Sequence, residues 1–442
     1  MSLDSKKTED QPLGSLDELI GYFRSAERRS GQLLVGFEHE KFIYPQGKSA
    51  PVGYEGPRGI GALLSTFTAN GYEEYREAPG LPVIAMTKGR AALSLEPGGQ
   101  FELSGSPFVS AREGHEENVA HLAQLKANAA GLGLRVVTLG YRPFDRIASM
   151  PWMPKTRYRM MRESLGARGK LAHAMMLMTA TGQVSLDWRD EADCARKVSA
   201  AARLSPVLVA LYANSPLVEG VPSGFMSYRS RVWSEVDPAR CGYLPAMLDG
   251  TFSYRAYVEW ALDAPLLFLR RDGKYLSPKV TFRQLMKDGF EGAPARYGDW
   301  VDHLSTLFPE VRIKKVLEIR AADCVNAELT GALGALMRGL LYDATALGEL
   351  EAALPKLKLQ AHLELHSLAQ REGLEGNVEG RTLGALAVDV VKIAERGLQR
   401  LDPADAALLG PLLQVAKSGK SPARRVLEGP RGPVALLDAF SV

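Results

Sequence analysis

Four stretches of this sequence set carboxylates and guanidinium groups at spacings suited to holding ions. In Phe37-Glu38-His39-Glu40-Lys41, strand periodicity puts Glu38 and Glu40 on one face and His39 on the other. Two carboxylates so close raise each other's pKa unless a cation or open water faces them. The pair belongs either to a water-facing strand or to a cation site, and His39 reads as a packed histidine. Ser94-Leu95-Glu96-Pro97-Gly98-Gly99-Gln100-Phe101-Glu102 places two more acids around a Pro-Gly-Gly turn, which makes either an exposed hairpin or the rest of a metal shell. Hard cations such as Mg²⁺ take oxygen ligands and bridge carboxylates to nucleotide phosphates, so four glutamates on adjoining strands suit an ATP-using site.

Leu317-Glu318-Ile319-Arg320 alternates in the same way. Glu318 and Arg320 share a face, as a simple salt bridge or as a metal-capable acid beside a fork-shaped cation for phosphate. Gln183, Ser185 and Asp187 alternate against Val184, Leu186 and Trp188, giving a polar strand face that meets either solvent or a site. Ser227-Tyr228-Arg229-Ser230-Arg231-Val232-Trp233 sets two guanidinium groups among aromatics, which suits a carboxylate or phosphate clamp and equally an ordinary surface. No glycine-lysine phosphate loop and no dinucleotide-binding glycine fingerprint precedes a helix, which disfavours a P-loop NTPase and a Rossmann dehydrogenase.

These residues need strands to hold them, and the hydrophobic pattern supplies both strands and helices. A polar lead over residues 1–15, expected to be disordered, gives way to an amphipathic helix from Leu16. Period-two alternation over 33–44 predicts a strand, and 59–70 a helix. Strand-like pieces follow at 83–86 and 93–103, then a long helix over 111–131. Further strands are expected at 136–141 and 183–188, with helices at 155–165, 172–179 and 191–212, the last closed by Asn214-Ser215-Pro216. The stretch 317–320 is the last obvious strand, and 325–442 reads as helical.

The chain has 442 residues, room for one large or several ordinary domains. Its 54 basic and 51 acidic side chains leave a formal +3, too little to make a phosphate-tracking surface, so no nucleic acid partner is expected. Three cysteines, Cys194, Cys241 and Cys324, have neither a zinc-ribbon nor a disulfide-framework spacing. A reducing, cytoplasmic setting without membrane contact is expected, because no apolar leader or long apolar run appears.

The segments VGFEHEKF, YEGPRG, SLEPGGQFELSG, MPKTRYRMM, ANSP, SYRSRVW, FPEVR and LEIRAAD together resemble the glutamate–cysteine ligase family of plants and proteobacteria. The similarity runs from about residue 15 to the closing KSGKSPARRVLE, and SLEPGGQFELSG is close to diagnostic of the family. The resemblance implies an α+β, glutamine synthetase-like catalytic fold: an antiparallel, barrel-like sheet with helices outside. It implies a catalytic domain over residues 16–345 and a helical C-terminal region over 346–442. It also implies ATP and Mg²⁺ as cofactors, with Glu38, Glu40, Glu96, Glu102 and Glu318 matching metal-holding positions. Arg320 matches a phosphate-contacting arginine and acts with Glu318 at the reacting centre, Gln183 is their neighbour, and Arg229 is a candidate for the carboxylate of bound glutamate. The implied reaction phosphorylates the γ-carboxylate of glutamate and couples it to the amine of cysteine, the first step of glutathione biosynthesis, in a monomer or homodimer.

At one place the sequence departs from that family. Gly-Gly-Pro-Trp usually follows the LEIRAAD stretch, whereas Cys324-Val325-Asn326-Ala327 stands here, and Arg338 lies in a normally apolar helix. If the altered segment edges the acceptor pocket, another amine becomes the acceptor in specialised metabolism; if it packs, specificity is unchanged. A catalytically silent, ligand-sensing subunit is the third reading, against which the retained acids count. The paired cysteines of redox-controlled plant relatives are not evident, so no disulfide switch is expected.

Overall fold

The computed structural model describes residues 10–271, 273–378 and 380–442. Nine strands form one sheet: β1 (Val35–Pro45), β2 (Glu73–Tyr75), β3 (Ala85–Lys88), β4 (Ala91–Leu95), β5 (Phe101–Ser104), β6 (Leu134–Val137), β7 (Gly182–Leu186), β8 (Val311–Ile313) and β9 (Leu317–Ile319). Their order is β8-β9-β7-β1-β5-β4-β3-β2, with β6 beside the far end of β1, and neighbouring strands run antiparallel. Eleven residues long, β1 reaches three partners. It pairs β7 over Val35–His39, β5 over Glu38–Lys41 and β6 over Phe42–Pro45.

Alternation along these strands separates two faces. Phe37, Val184, Leu186, Leu317 and Ile319 point into an apolar cluster shared with the helices Glu191–Tyr212, Ala327–Tyr342 and Leu383–Leu401. The C-terminal helices are thus seated on the same core as the sheet. The turn between β4 and β5 needs its glycines. Gly99 has φ +79°, and a Cβ on Gly98 would stand 2.3 Å from the Leu177 carbonyl oxygen. The resulting tight turn returns the chain so that Glu102 lies opposite Ser94.

The expected α+β architecture is the one observed, but the strand-like piece expected over 93–103 is two strands about a turn, and the helices Tyr254–Asp263, Phe282–Asp288 and Tyr297–Leu304 carry no expectation from the sequence. Residues 1–9 of the expected disordered lead lie outside the described residues. From Asp10 onward the lead is held: Leu13 is buried and its N–H donates to the Ala295 carbonyl at 2.8 Å. Ser15 and Glu18 then close a capping box on the helix Leu16–Arg24. Strand β8 was not anticipated, because three residues after a proline carry almost no periodic signal. The helical tail also contains a small hairpin, Asn377–Val378 with Arg381–Thr382. Among the described residues no helix is long and apolar enough to cross a membrane, and all three cysteines are unpaired.

Candidate active site

Register brings the scattered acids onto one face. Glu38 lies opposite Gln183 on one side and Ser104 on the other, and Glu40 lies opposite Glu102. Glu318 pairs with Ser185 on β7 and with Arg312 on β8. Reading across the sheet, the polar face runs Arg312, Glu318, Ser185 and Gln183, Glu38 and Glu40, Glu102, then Ser94. Glu96 follows directly on β4, where the Tyr158 hydroxyl, 2.7 Å from the Leu95 carbonyl, stands 3.5 Å from its carboxylate. Arg320 leaves the end of β9 and donates to Gln183 Oε1 at 2.7 Å. Glu38, Glu40, Glu96, Glu102, Gln183, Glu318 and Arg320 are thus brought to one side of the sheet.

The acids differ in what surrounds them. Burial, with Glu102 and Glu318 nearby, pushes the Glu38 carboxyl up to about 7. Burial together with Glu96 and Glu102 raises Glu40 well above the ordinary carboxylate range, although Glu40 Oε2 accepts from the Thr181 N–H at 2.9 Å. Glu96 is raised by burial and by Glu102. For Glu102 itself burial is outweighed, first by the Ser94 hydroxyl, which donates at 2.7 Å, with the Ser104 hydroxyl at 2.9 Å among the further groups that hold it below its usual value. Glu318 is 1% exposed, and there too burial loses, to the charges of Arg312, Lys314 and Arg320. Its oxygens meet Arg312 Nε, Lys314 Nζ at 2.7 Å and Arg320 at 3.7 Å. The salt-bridge reading of Glu318 is thus realised, with more cations than the sequence suggested.

The carboxylate set fits a hard divalent cation in donor chemistry. Burial raises Glu38, Glu40 and Glu96, and neighbouring acids, Glu102 above all, add to it beyond what the nearby cations offset. Among the described residues, no three His, Cys, Asp or Glu side chains are gathered tightly enough to hold an ion unaided. Mg²⁺ keeps several waters and takes phosphate oxygens beside one or two carboxylates, so a closed protein cage is not required of such a site.

Beside the polar face, Arg229, Ser230, Trp233, Phe308, Pro309, Glu310 and Arg320 line a cleft. Arg229 is carried on the short helix Tyr228–Trp233, whose start is capped by Ser227. Much of its guanidinium is committed, donating to the Arg320 carbonyl at 2.9 Å and standing 3.8 Å from Asp323. Asp323 ties this corner together, accepting from Asn214 N–H at 2.8 Å and from the Ser215 and Ser227 hydroxyls at 2.6 and 2.7 Å. Of the paired arginines, Arg231 instead pairs with Glu235 at 2.9 Å. Asp187 leaves the polar set for Arg28, 2.5 Å away.

The altered segment after LEIRAAD packs behind the sheet. Cys324 is fully buried, with Sγ 3.6 Å from His39 Nε2. His39 donates to the Val325 carbonyl at 2.9 Å, while Nδ1 lies 3.1 Å from the Asn118 side chain, so it is the packed histidine its alternation implied. Asn326 caps the helix Ala327–Tyr342. Arg338 is answered by Asp405 at 2.8 Å, which also accepts from the Ala111 and Arg112 amides. Residue reasoning missed Arg312, Lys314, Glu310 and Tyr158. The segments FPEVR and MPKTRYRMM were visible, but only register shows which of their side chains face the site.

A model of the glutamate–cysteine ligase family 2 (GCS2) matches residues 34–435. The chain belongs to that family. The glutamate–cysteine ligase of Brassica juncea, named as chloroplastic, is 37% identical over 93% of this chain and 80% of its own length. The chloroplastic enzyme of Nicotiana tabacum is 36% identical over 96% and 82%. A glutamate–cysteine ligase structure from Francisella tularensis, in complex with AMP, shares the fold. It has a TM-score of 0.57 at 12% identity and covers 94% of this chain and 88% of that one. The family membership makes this chain an enzyme of the carboxylate–amine ligase type, and ligation of glutamate to cysteine is the reaction for which these relatives are named. One expectation falls here. The cytoplasmic placement is overturned by relatives whose names carry a chloroplastic location; three unpaired cysteines do not choose between reducing compartments.

Proposed function

We propose that this member of the glutamate–cysteine ligase family couples glutamate to cysteine at the expense of ATP, with the polar sheet face as its reacting centre. The observation that carries the reading is the register: acids from three distant segments meet on one face beside Arg320 and Gln183. Glu38, Glu40, Glu96 and Glu102 are the residues that would hold Mg²⁺, which when bound neutralises phosphate charge. Arg320 contacts the transferring phosphoryl group, oriented by Gln183 and Glu318. A carboxylate acylates poorly until phosphorylated, so the protein's task is to place the γ-carboxylate in line with the phosphoryl donor and stabilise charge. Attack of the cysteine amine on the acyl phosphate then releases phosphate.

In this reading Glu318 is the anion that keeps Arg312, Lys314 and Arg320 in place, rather than a ligand free to meet a metal. Residues 16–345 form the catalytic unit and 346–442 brace it, although that boundary falls inside the helix Ala344–Ala353. Because Cys324 and Val325 are buried against His39 and Asn326 caps the next helix, they give no support to another amine acceptor. The test is ADP release with glutamate, cysteine, ATP and Mg²⁺, with γ-glutamylcysteine identified by mass. Folded protein that forms no glutamate-dependent ADP would overturn the assignment. Arg229→Lys should raise the KM for glutamate more than that for ATP, since a point ammonium does not copy the planar fork.

A further inference from the structure

The cleft beside the polar face contains more unmet polar groups than a structural crevice needs. Glu310, immediately before β8, lines it together with Arg229 and Arg320. Among the described residues the Glu310 side chain has no hydrogen bond or ion pair, although two guanidinium groups line the same small space. Burial raises its pKa against the pull of Arg229 and Arg320. The Nε–H of Arg229 and the indole N–H of Trp233 are buried and meet no acceptor. Two unmet buried donors beside a half-buried, unpaired carboxylate are groups that a charged ligand would complete.

The cleft is also firmly built. Ser230 is held by His366 at 2.9 Å and by Gln370 at 3.1 Å. Trp233 and Phe308 pack with ring centres 5.5 Å apart, and the Arg320 guanidinium lies 5.3 and 5.9 Å from those two ring centres. Arg320 is also the link to the reacting face, where it meets Gln183 and Glu318. A molecule with its head in the cleft would reach past Arg320 toward the acids.

We propose that Glu310 receives the α-ammonium of the donor glutamate, whose α-carboxylate meets Arg229 and whose γ-carboxylate extends past Arg320 to the sheet. Two guanidinium groups and one carboxylate complement a substrate with two carboxylates and one ammonium. This assignment rests on the ligase reading above and adds the residue that distinguishes an amino acid from a plain dicarboxylate. A site built to pair a charged donor rejects an analogue lacking it far more strongly than an apolar pocket rejects a missing methylene.

Glutarate, which keeps both carboxylates and lacks the ammonium, is the probe. In ADP release by the full chain, glutamate should be favoured over glutarate in kcat/KM by about a thousandfold or more. Glu310→Gln should cut that preference at least about tenfold, with the KM for ATP within about twofold of wild type. An unchanged glutamate-to-glutarate ratio overturns the proposal, and so does a variant whose KM rises for cysteine instead of glutamate. If Glu310→Gln does not fold by circular dichroism, Glu310→Asp, which keeps the charge, should retain the preference; losing it would overturn the proposal. Calorimetric titration of glutamate and glutarate into wild type with ADP and Mg²⁺ is independent of turnover. Absence of ADP release by wild type would defeat the ligase reading alone, whereas equal affinities for the two acids would defeat the Glu310 assignment alone.

Discussion

Two regions of the same polar face hold buried glutamates in opposite electrostatic states. At the β8–β9 edge, Glu318 is met by Arg312, Lys314 and Arg320 and stays ionised far into acid. At the centre, Glu38 and Glu40 on β1 and Glu96 beyond β4 confront other acids and are pushed upward. Burial is common to both, so the difference lies in the partners. The edge is complete within the chain, whereas the centre is short of positive charge. A centre of that kind suits a bound cation and anionic phosphates, and the edge suits holding Arg320 still.

The sharpest way to break this comparison is to remove one central charge. Glu38→Gln should lower turnover by about a hundredfold or more and raise the Mg²⁺ concentration needed for half-maximal rate, because a hard cation loses an anionic ligand. Unchanged Mg²⁺ dependence, followed by ADP release, would remove Glu38 from the cation's surroundings. Removing the edge acid should act through a different quantity. Glu318→Gln leaves three cations facing one another, and breaking such a buried network costs about 3 kcal/mol or more of stability. Chemical denaturation of metal-free protein should show that loss; a variant as stable as wild type would mean the edge is not self-neutralised.

The next effect has the opposite sign. The Glu38 pKa rises from 4.5 toward about 7 on folding. The folded state therefore binds the extra proton, and this group stabilises the metal-free protein below pH 4.5. That contribution is lost as pH rises through about 7. Buried His39 and His303, held down to about 3, work the other way below neutrality, so the informative quantity is the difference between wild type and Glu38→Gln. Below pH 4.5, where the group is protonated in both states, the two should be equally stable. Near pH 8 without metal the variant should be more stable by about 1–3 kcal/mol, and saturating Mg²⁺ should reverse the order. A variant less stable than wild type near pH 8 without metal would show that the central acids are not in deficit.

Much of this contrast is legible in the sequence, and the unread part has a physical reason. Glu38 and Glu40 were placed on one face because a strand's period of two leaves no other arrangement. Glu96 and Glu102 followed from a turn that only glycine permits. The neutralisation of Glu318 was unreadable, because Arg312 lies six residues upstream and comes opposite only through the β8–β9 pairing. Glu310 was hidden for the same reason. Whether an acid is answered or unanswered depends on the neighbouring strand, and local sequence carries no record of that neighbour.

The smallest expected effect concerns the face of β1 that looks away from the acids. Cys324 opens the segment after LEIRAAD that the sequence alone leaves as a possible pocket edge. The structure puts its thiol against His39, on the reverse face from Glu38 and Glu40. Burial raises that thiol's pKa, so it is a neutral packing group rather than a nucleophile. Cys324→Ala should therefore cost about 1 kcal/mol of stability from lost packing and leave the KM for cysteine within about twofold. Rates measured with cysteine and with other small amines should keep their wild-type ratio in this variant. A shift in that ratio would mean the reverse face reaches the acceptor through the strand, and the separation between the two faces of β1 would no longer hold.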